Sequence, residues 1–210
     1  MAGKIERRTF IVSEFRMEDG GDGKMPQIRG HAAVFNQPSE EMGGWMSFRE
    51  QIAPGCFKDS IAADDIRALF NHDPNFVLGR NKAGTLKLNE DSHGLKVDIT
   101  PPDTGWARDL VKSIERGDIS QMSFGFDVQE DTWDFKRDKE GEPALRTLKK
   151  VRLFDVSPVT FPAYPQTDVN TRSLDSIWEE TAGQRAELAG KLHIQPSRIA
   201  MLRRRLELEA

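Results

Sequence analysis

The run Gln121-Met122-Ser123-Phe124-Gly125-Phe126 constrains this chain more than any other segment. In an extended strand successive side chains point to opposite faces, so Met122, Phe124 and Phe126 share one face while Ser123, Gly125 and Asp127 share the other. A face of three large apolar side chains belongs against a core. The opposite face presents a hydroxyl beside a glycine, and a hydroxyl held in that way can serve as a nucleophile.

Other segments repeat the same two-residue period. Residues 27–35 read as a strand, residues 10–15 alternate in part, and the polar, glycine-rich residues 18–24 between them read as a hairpin connection. The glycines there fit neither a phosphate loop nor an EF-hand, because the spacing of glycines and acids is wrong for both. Residues 85–89 and 95–100 alternate so that Leu86, Leu88, Leu95, Val97 and Ile99 share a buried face, with Asp91-Ser92-His93-Gly94 as the turn. Helical signals are fewer. A short helix follows Pro54-Gly55 through Phe57 and Ile61, and a second starts at Thr104, carries the stripe Trp106, Leu110, Val111 and Ile114, and stops at Gly117. The charged residues 133–143 read as a solvent-facing hairpin excursion. The pattern is that of a mainly β fold with inserted helices.

Two further residues bear on chemistry. His72 closes the apolar run 66–70 within Asn71-His72-Asp73, and Asp155 stands inside the extended stretch Leu153-Phe154-Asp155-Val156-Ser157-Pro158-Val159-Thr160. Taken singly each has a plainer explanation: a strand serine is usually a small polar residue, a histidine before Asp-Pro is usually part of a turn, and an acid in a strand is usually solvated. Together they supply a base, a hydroxyl and an orienting carboxylate.

Several blocks of this sequence, in order, resemble the serine proteases that mature the proheads of tailed bacteriophages, a family related to the herpesvirus assemblin protease. They are Ile28-Arg29-Gly30-His31-Ala32-Ala33-Val34-Phe35-Asn36, Ile52-Ala53-Pro54-Gly55-Cys56-Phe57, Leu69-Phe70-Asn71-His72-Asp73 with Leu78-Gly79-Arg80, Met122-Ser123-Phe124-Gly125-Phe126, and the stretch from Asp155 to Pro165. The resemblance covers about residues 26–172. It implies an assemblin-like β-barrel and a site in which Ser123 is the nucleophile, His72 the base and Asp155 the third member. Relatives commonly carry glutamate at the third position, and aspartate is shorter by one methylene. The resemblance also implies an oxyanion hole in the backbone around residues 160–164. The substrates it implies are the major capsid protein and its scaffold segment, and it leaves room for a homo-oligomer.

The remaining composition agrees with such an enzyme. Cys56 is the sole cysteine, so no disulfide forms within the chain. No stretch approaches the ~20 apolar residues of a membrane span, and the first residues lack the apolar core of a signal peptide. The expectation is a protein of the host bacterial cytoplasm, transiently inside the prohead, without a membrane partner. The net charge of −4 argues against a general nucleic-acid binder, and Arg203-Arg204-Arg205 reads as a solvated helix end. The four histidines show no metal-ligand spacing, so neither a metal nor another cofactor is expected.

Composition shifts near Arg172. Residues 1–172 are expected to form the catalytic domain, and residues 173–210 a helical tail opened by Ser173 that directs packaging or is cut off by the enzyme itself. Two other classes compete with the protease reading. A non-catalytic capsid assembly or scaffold component would leave His72, Ser123 and Asp155 unexplained. A cysteine or metal-dependent hydrolase would have to use Cys56, which reads as a packed helix start, or the scattered histidines.

Overall fold

The computed structural model describes residues 5–11, 16–18, 25–42, 47–135 and 143–161, with residues 9–11 described by their backbone only. These residues form two compact units. The first holds the described residues of Met1–Gln37, Ile52–Glu130 and Leu148–Ala163, and the second those of Pro38–Gln51 and Asp131–Thr147. The expected tail, with its boundary near 172, lies outside the described residues.

The strands are β1 (Glu6–Ile11), β2 (Arg16–Glu18), β3 (Gln27–Val34), β4 (Phe48–Ile52), β5 (Arg67–Phe70), β6 (Asp73–Arg80), β7 (Leu86–Glu90), β8 (Gly94–Ile99), β9 (Gln121–Asp134) and β10 (Ala144–Val159). The helices are α1 (Lys58–Ala63) and α2 (Gly105–Glu115). One sheet runs β2-β3-β8-β7 and the other β1-β9-β10-β5-β6, with β4 also pairing β10. The β10·β5 ladder is parallel, whereas β1·β9 and β5·β6 are antiparallel.

This arrangement corrects the expected closed barrel: the strands make two sheets, and no ladder among the described residues joins them into one. Closure would need the edge strands of the two sheets to pair, and among the described residues neither β2 nor β7 pairs with a strand of the other sheet. The sheets meet instead through side chains. Ile28, Leu86, Leu95, Val97 and Ile99 from the first and Met122, Phe124, Phe126, Leu153 and Val156 from the second are buried in one cluster. Burying each such side chain fully is worth roughly 1.5–3 kcal/mol relative to exposure. The Phe124 ring stacks 4.8 Å from Phe126 and meets Phe57 edge-on at 5.4 Å.

Helix α2 buries Ala107, Leu110, Val111 and Ile114, and Gly117 leaves it with φ of 82°, a left-handed conformation that favours glycine. Thr104 occupies the cap position, but its side chain makes no cap hydrogen bond. Trp106 packs against the core and lies 5.2 Å from Phe76, in keeping with a packing role.

Residues 136–142 of the charged stretch 133–143 lie outside the described residues, and beside that stretch, in the second unit, a charge is buried. The Arg146 guanidinium is buried, lies 5.6 Å over the Trp133 ring, and bonds Glu50 at 3.0 Å and Asp131 at 2.7 Å. Trp133 in turn meets the buried Phe48 at 5.0 Å. A charge can be buried there because carboxylates and an aromatic face replace its water.

Candidate active site

His72 owes its position to a turn with no spare length. Phe70 pairs with Asp73 across the β5·β6 ladder, leaving Asn71 and His72 as the two central residues of the hairpin. Their φ values are 52° and 58°. A two-residue hairpin matched to strand twist needs positive φ at both central positions, and asparagine and histidine tolerate that region better than most non-glycine residues. The turn is also tied to the end of β10. The Asn71 N–H donates to Pro158 O at 3.0 Å, its Nδ2 donates to Thr160 Oγ1 at 3.1 Å, and its Oδ1 accepts from Thr160 N–H at 2.9 Å.

The imidazole so held bridges the other two predicted residues. His72 Nδ1 lies 2.6 Å from Asp155 Oδ2, and His72 Nε2 lies 2.7 Å from Ser123 Oγ. The three predicted site residues are therefore brought together, from the β5–β6 turn, β9 and β10. The aspartate reaches the ring despite its missing methylene because Gly125 lets it come close: a Cβ at Gly125 would lie 2.5 Å from Asp155 Oδ1. With Nδ1–H donating to the carboxylate, Nε2 is left as the acceptor that faces the hydroxyl.

All three groups are shielded from water. Ser123 is fully buried, and the His72 and Asp155 side chains are about nine-tenths buried. Ser123 Oγ has a second neighbour, the Arg8 carbonyl of β1, at 2.9 Å. Asp155 Oδ2 has one as well, accepting from the buried Ser157 hydroxyl at 2.7 Å.

The sequence pattern passed over Ser157, Gly125 and Asn71 as contributors to this site. For Ser157 a signal existed: residues two apart in a strand share a face, and Ser157 stands two after Asp155. Of the segment expected to supply oxyanion donors, the Thr160 N–H is already committed to Asn71, and residues 162–164 lie outside the described residues.

The sequence matches the model of the family described as caudovirus prohead serine protease over residues 13–180, most of the chain. The chain belongs to the caudovirus prohead serine protease family. It is also 31% identical over 174 residues to the prohead protease of Enterobacteria phage HK97, covering 81% of this chain and 71% of that protein. No solved structure matches it. The chain is thus a serine protease of phage head maturation, and neither the non-catalytic capsid or scaffold component nor the cysteine or metal hydrolase is needed to account for it.

The remaining candidate groups lie apart from these three. Cys56 is buried in the core. His31 Nε2 lies 2.9 Å from Asp91 Oδ2, with the His93 ring 4.8 Å away edge-on. Burial would raise the Asp91 carboxyl, but hydrogen bonds from His31 and from the Gly94 and His93 amides outweigh it and hold the group at about 2. His93 lies in the β7–β8 turn, as its sequence context predicts. No cluster of three or more metal-ligating side chains exists among the described residues, and no helix among them is long and apolar enough to cross a membrane.

Proposed function

We propose that His72, Ser123 and Asp155 hydrolyse peptide bonds of the major capsid protein and its scaffold segment within the prohead. The observation that carries this reading is the single imidazole bridging a hydroxyl at 2.7 Å and a carboxylate at 2.6 Å. A serine hydroxyl is a poor nucleophile at neutral pH until a base takes its proton. In the proposed cycle Ser123 Oγ attacks the scissile carbonyl as His72 Nε2 accepts the hydroxyl proton. The imidazolium then protonates the departing amine and leaves an acyl-serine, and water, deprotonated by the same nitrogen, releases the acid and restores the hydroxyl. Asp155 holds the ring tautomer and stabilises the imidazolium, and Ser157 holds Asp155.

The tail enters the same proposal. Residues 173–210 would direct packaging through capsid or scaffold contacts, and the enzyme would cut them off between about residues 165 and 180 once confined at high local concentration, since an exposed linker can enter a site as an extended strand. Co-expression with the neighbouring major capsid protein tests the whole reading. A shortened capsid protein is expected with the wild type and none with a folded Ser123→Ala variant. Normal processing by that variant would overturn the assignment of Ser123, and a chain lacking residues 173–210 that is packaged normally would overturn the role of the tail.

A further inference from the structure

A nucleophile that must meet a main-chain carbonyl cannot stay fully buried, yet Ser123 has no exposed surface. Besides the His72 imidazole, the group against its hydroxyl belongs to β1. This strand pairs antiparallel with β9 from Glu6↔Phe126 to Ile11↔Gln121 and sets Thr9 opposite Ser123. The Arg8 carbonyl oxygen lies 2.9 Å from Ser123 Oγ, and just ahead of the strand Ile5 Cγ2 lies 3.8 Å from where a Gly125 Cβ would stand, over the face that carries Asp155.

We propose that β1 occupies the place of the substrate: the β9 edge from Gln121 to Phe126 is the docking edge for an extended peptide, and the chain's own N-terminal strand is its resident latch. The inference rests on the serine-protease reading above. An extended peptide binds a sheet edge through main-chain hydrogen bonds, and β1 makes that ladder with the strand that bears the nucleophile. Being terminal in the order β1-β9-β10-β5-β6, β1 pairs with β9 alone among the described strands of its sheet, so its release breaks one ladder. It also precedes residues 13–180, the part matched to the family.

The latch acts on the chemistry as well as on access. The hydroxyl has one proton and two acceptors within reach, His72 Nε2 at 2.7 Å and Arg8 O at 2.9 Å. A proton donated to Arg8 O is not available to the base, so the seated strand both blocks the substrate and diverts the proton that activation requires.

A reversible tether tests this in the full chain. Ile11 and Gln121 are directly opposed in the antiparallel ladder, where cross-strand Cα distances suit a disulfide. The native Cys56 is buried in the core. In the double variant Ile11→Cys with Gln121→Cys, labelling of Ser123 by a peptidyl phosphonate should be at least about tenfold slower when oxidised than when reduced, because the open state is removed. Equal rates at Ser123 in both forms would overturn the latch and leave the nucleophile standing. Failure of the reduced form to label at Ser123 while it still cleaves capsid protein would overturn the nucleophile and the latch together. Hydrogen exchange gives a readout without the tether: after labelling of the wild type, amides of residues 6–11 should lose protection while those of residues 121–126 keep it. Unchanged protection of residues 6–11 would equally overturn the inference.

Discussion

Gly125 and Asp155 touch across neighbouring strands, with only 2.5 Å between Asp155 Oδ1 and the point where a side chain on residue 125 would begin. That contact sets how closely the carboxylate can approach the His72 ring. Gly125→Ala should therefore push Asp155 off the imidazole and lower kcat by about 10²-fold, the scale of an ångström of misplacement, while KM changes little. Steady-state kinetics on a capsid-derived peptide, with a melting curve to verify the fold, would check this. Undiminished kcat would mean that the carboxylate need not sit where it does.

Ser157 donates to the same carboxylate oxygen that faces His72. Because it is buried and acts through Asp155, Ser157→Ala should lower kcat by about tenfold without raising KM, as expected for a group that orients another. Ser157→Thr, which keeps the hydroxyl, should recover most of the loss. A KM effect without a kcat effect would place Ser157 in substrate binding instead.

His72 is a turn residue and the proposed base, and the two roles can be separated. His72→Gly suits the positive φ of this position but removes the imidazole. Activity should fall by at least about 10³-fold, and added imidazole, which fits the space vacated between Ser123 and Asp155, should restore part of it. Turnover in the variant as a function of imidazole concentration is the measurement. Full activity without imidazole would exclude His72 as the base.

Asp91 gives a prediction about acid stability. Its folded value of about 2 lies below the ordinary aspartate value, so the ionised group contributes stability that is fully present above the ordinary value and lost as pH falls through about 2. The free energy of unfolding of wild type over Asp91→Asn should be largest near about pH 5 and shrink towards about pH 2. Urea titrations of both proteins across that range would show it. A difference that grows on acidification would refute the assignment.

Much of this was legible in the residues themselves. Alternation placed Met122, Phe124 and Phe126 in the core and Ser123 on the other face, and the same period found β7, β8 and the burial of Leu86, Leu95, Val97 and Ile99. Periodicity says which face is apolar but not which strand edges meet, so it could not distinguish two sheets from a closed barrel. The site was legible as residue types and only partly as geometry. Ser157 and Gly125 act across or along strands that pair at long range, and the inward turn of Arg146 depends on Glu50 and Asp131, which no local pattern links to it.

The two-residue hairpin has a consequence for how this enzyme can vary. A long loop absorbs insertions because its tip is independent of its stems, but here the tip carries the proposed base and its stems are paired strands. One residue added between Phe70 and Asp73 would swing the imidazole out of line with both Ser123 and Asp155, whereas the stretch between β9 and β10 can change length without moving either of those groups along its own strand. Relatives of this chain should therefore differ freely in length around residues 135–143 and show no insertion or deletion at residues 70–73.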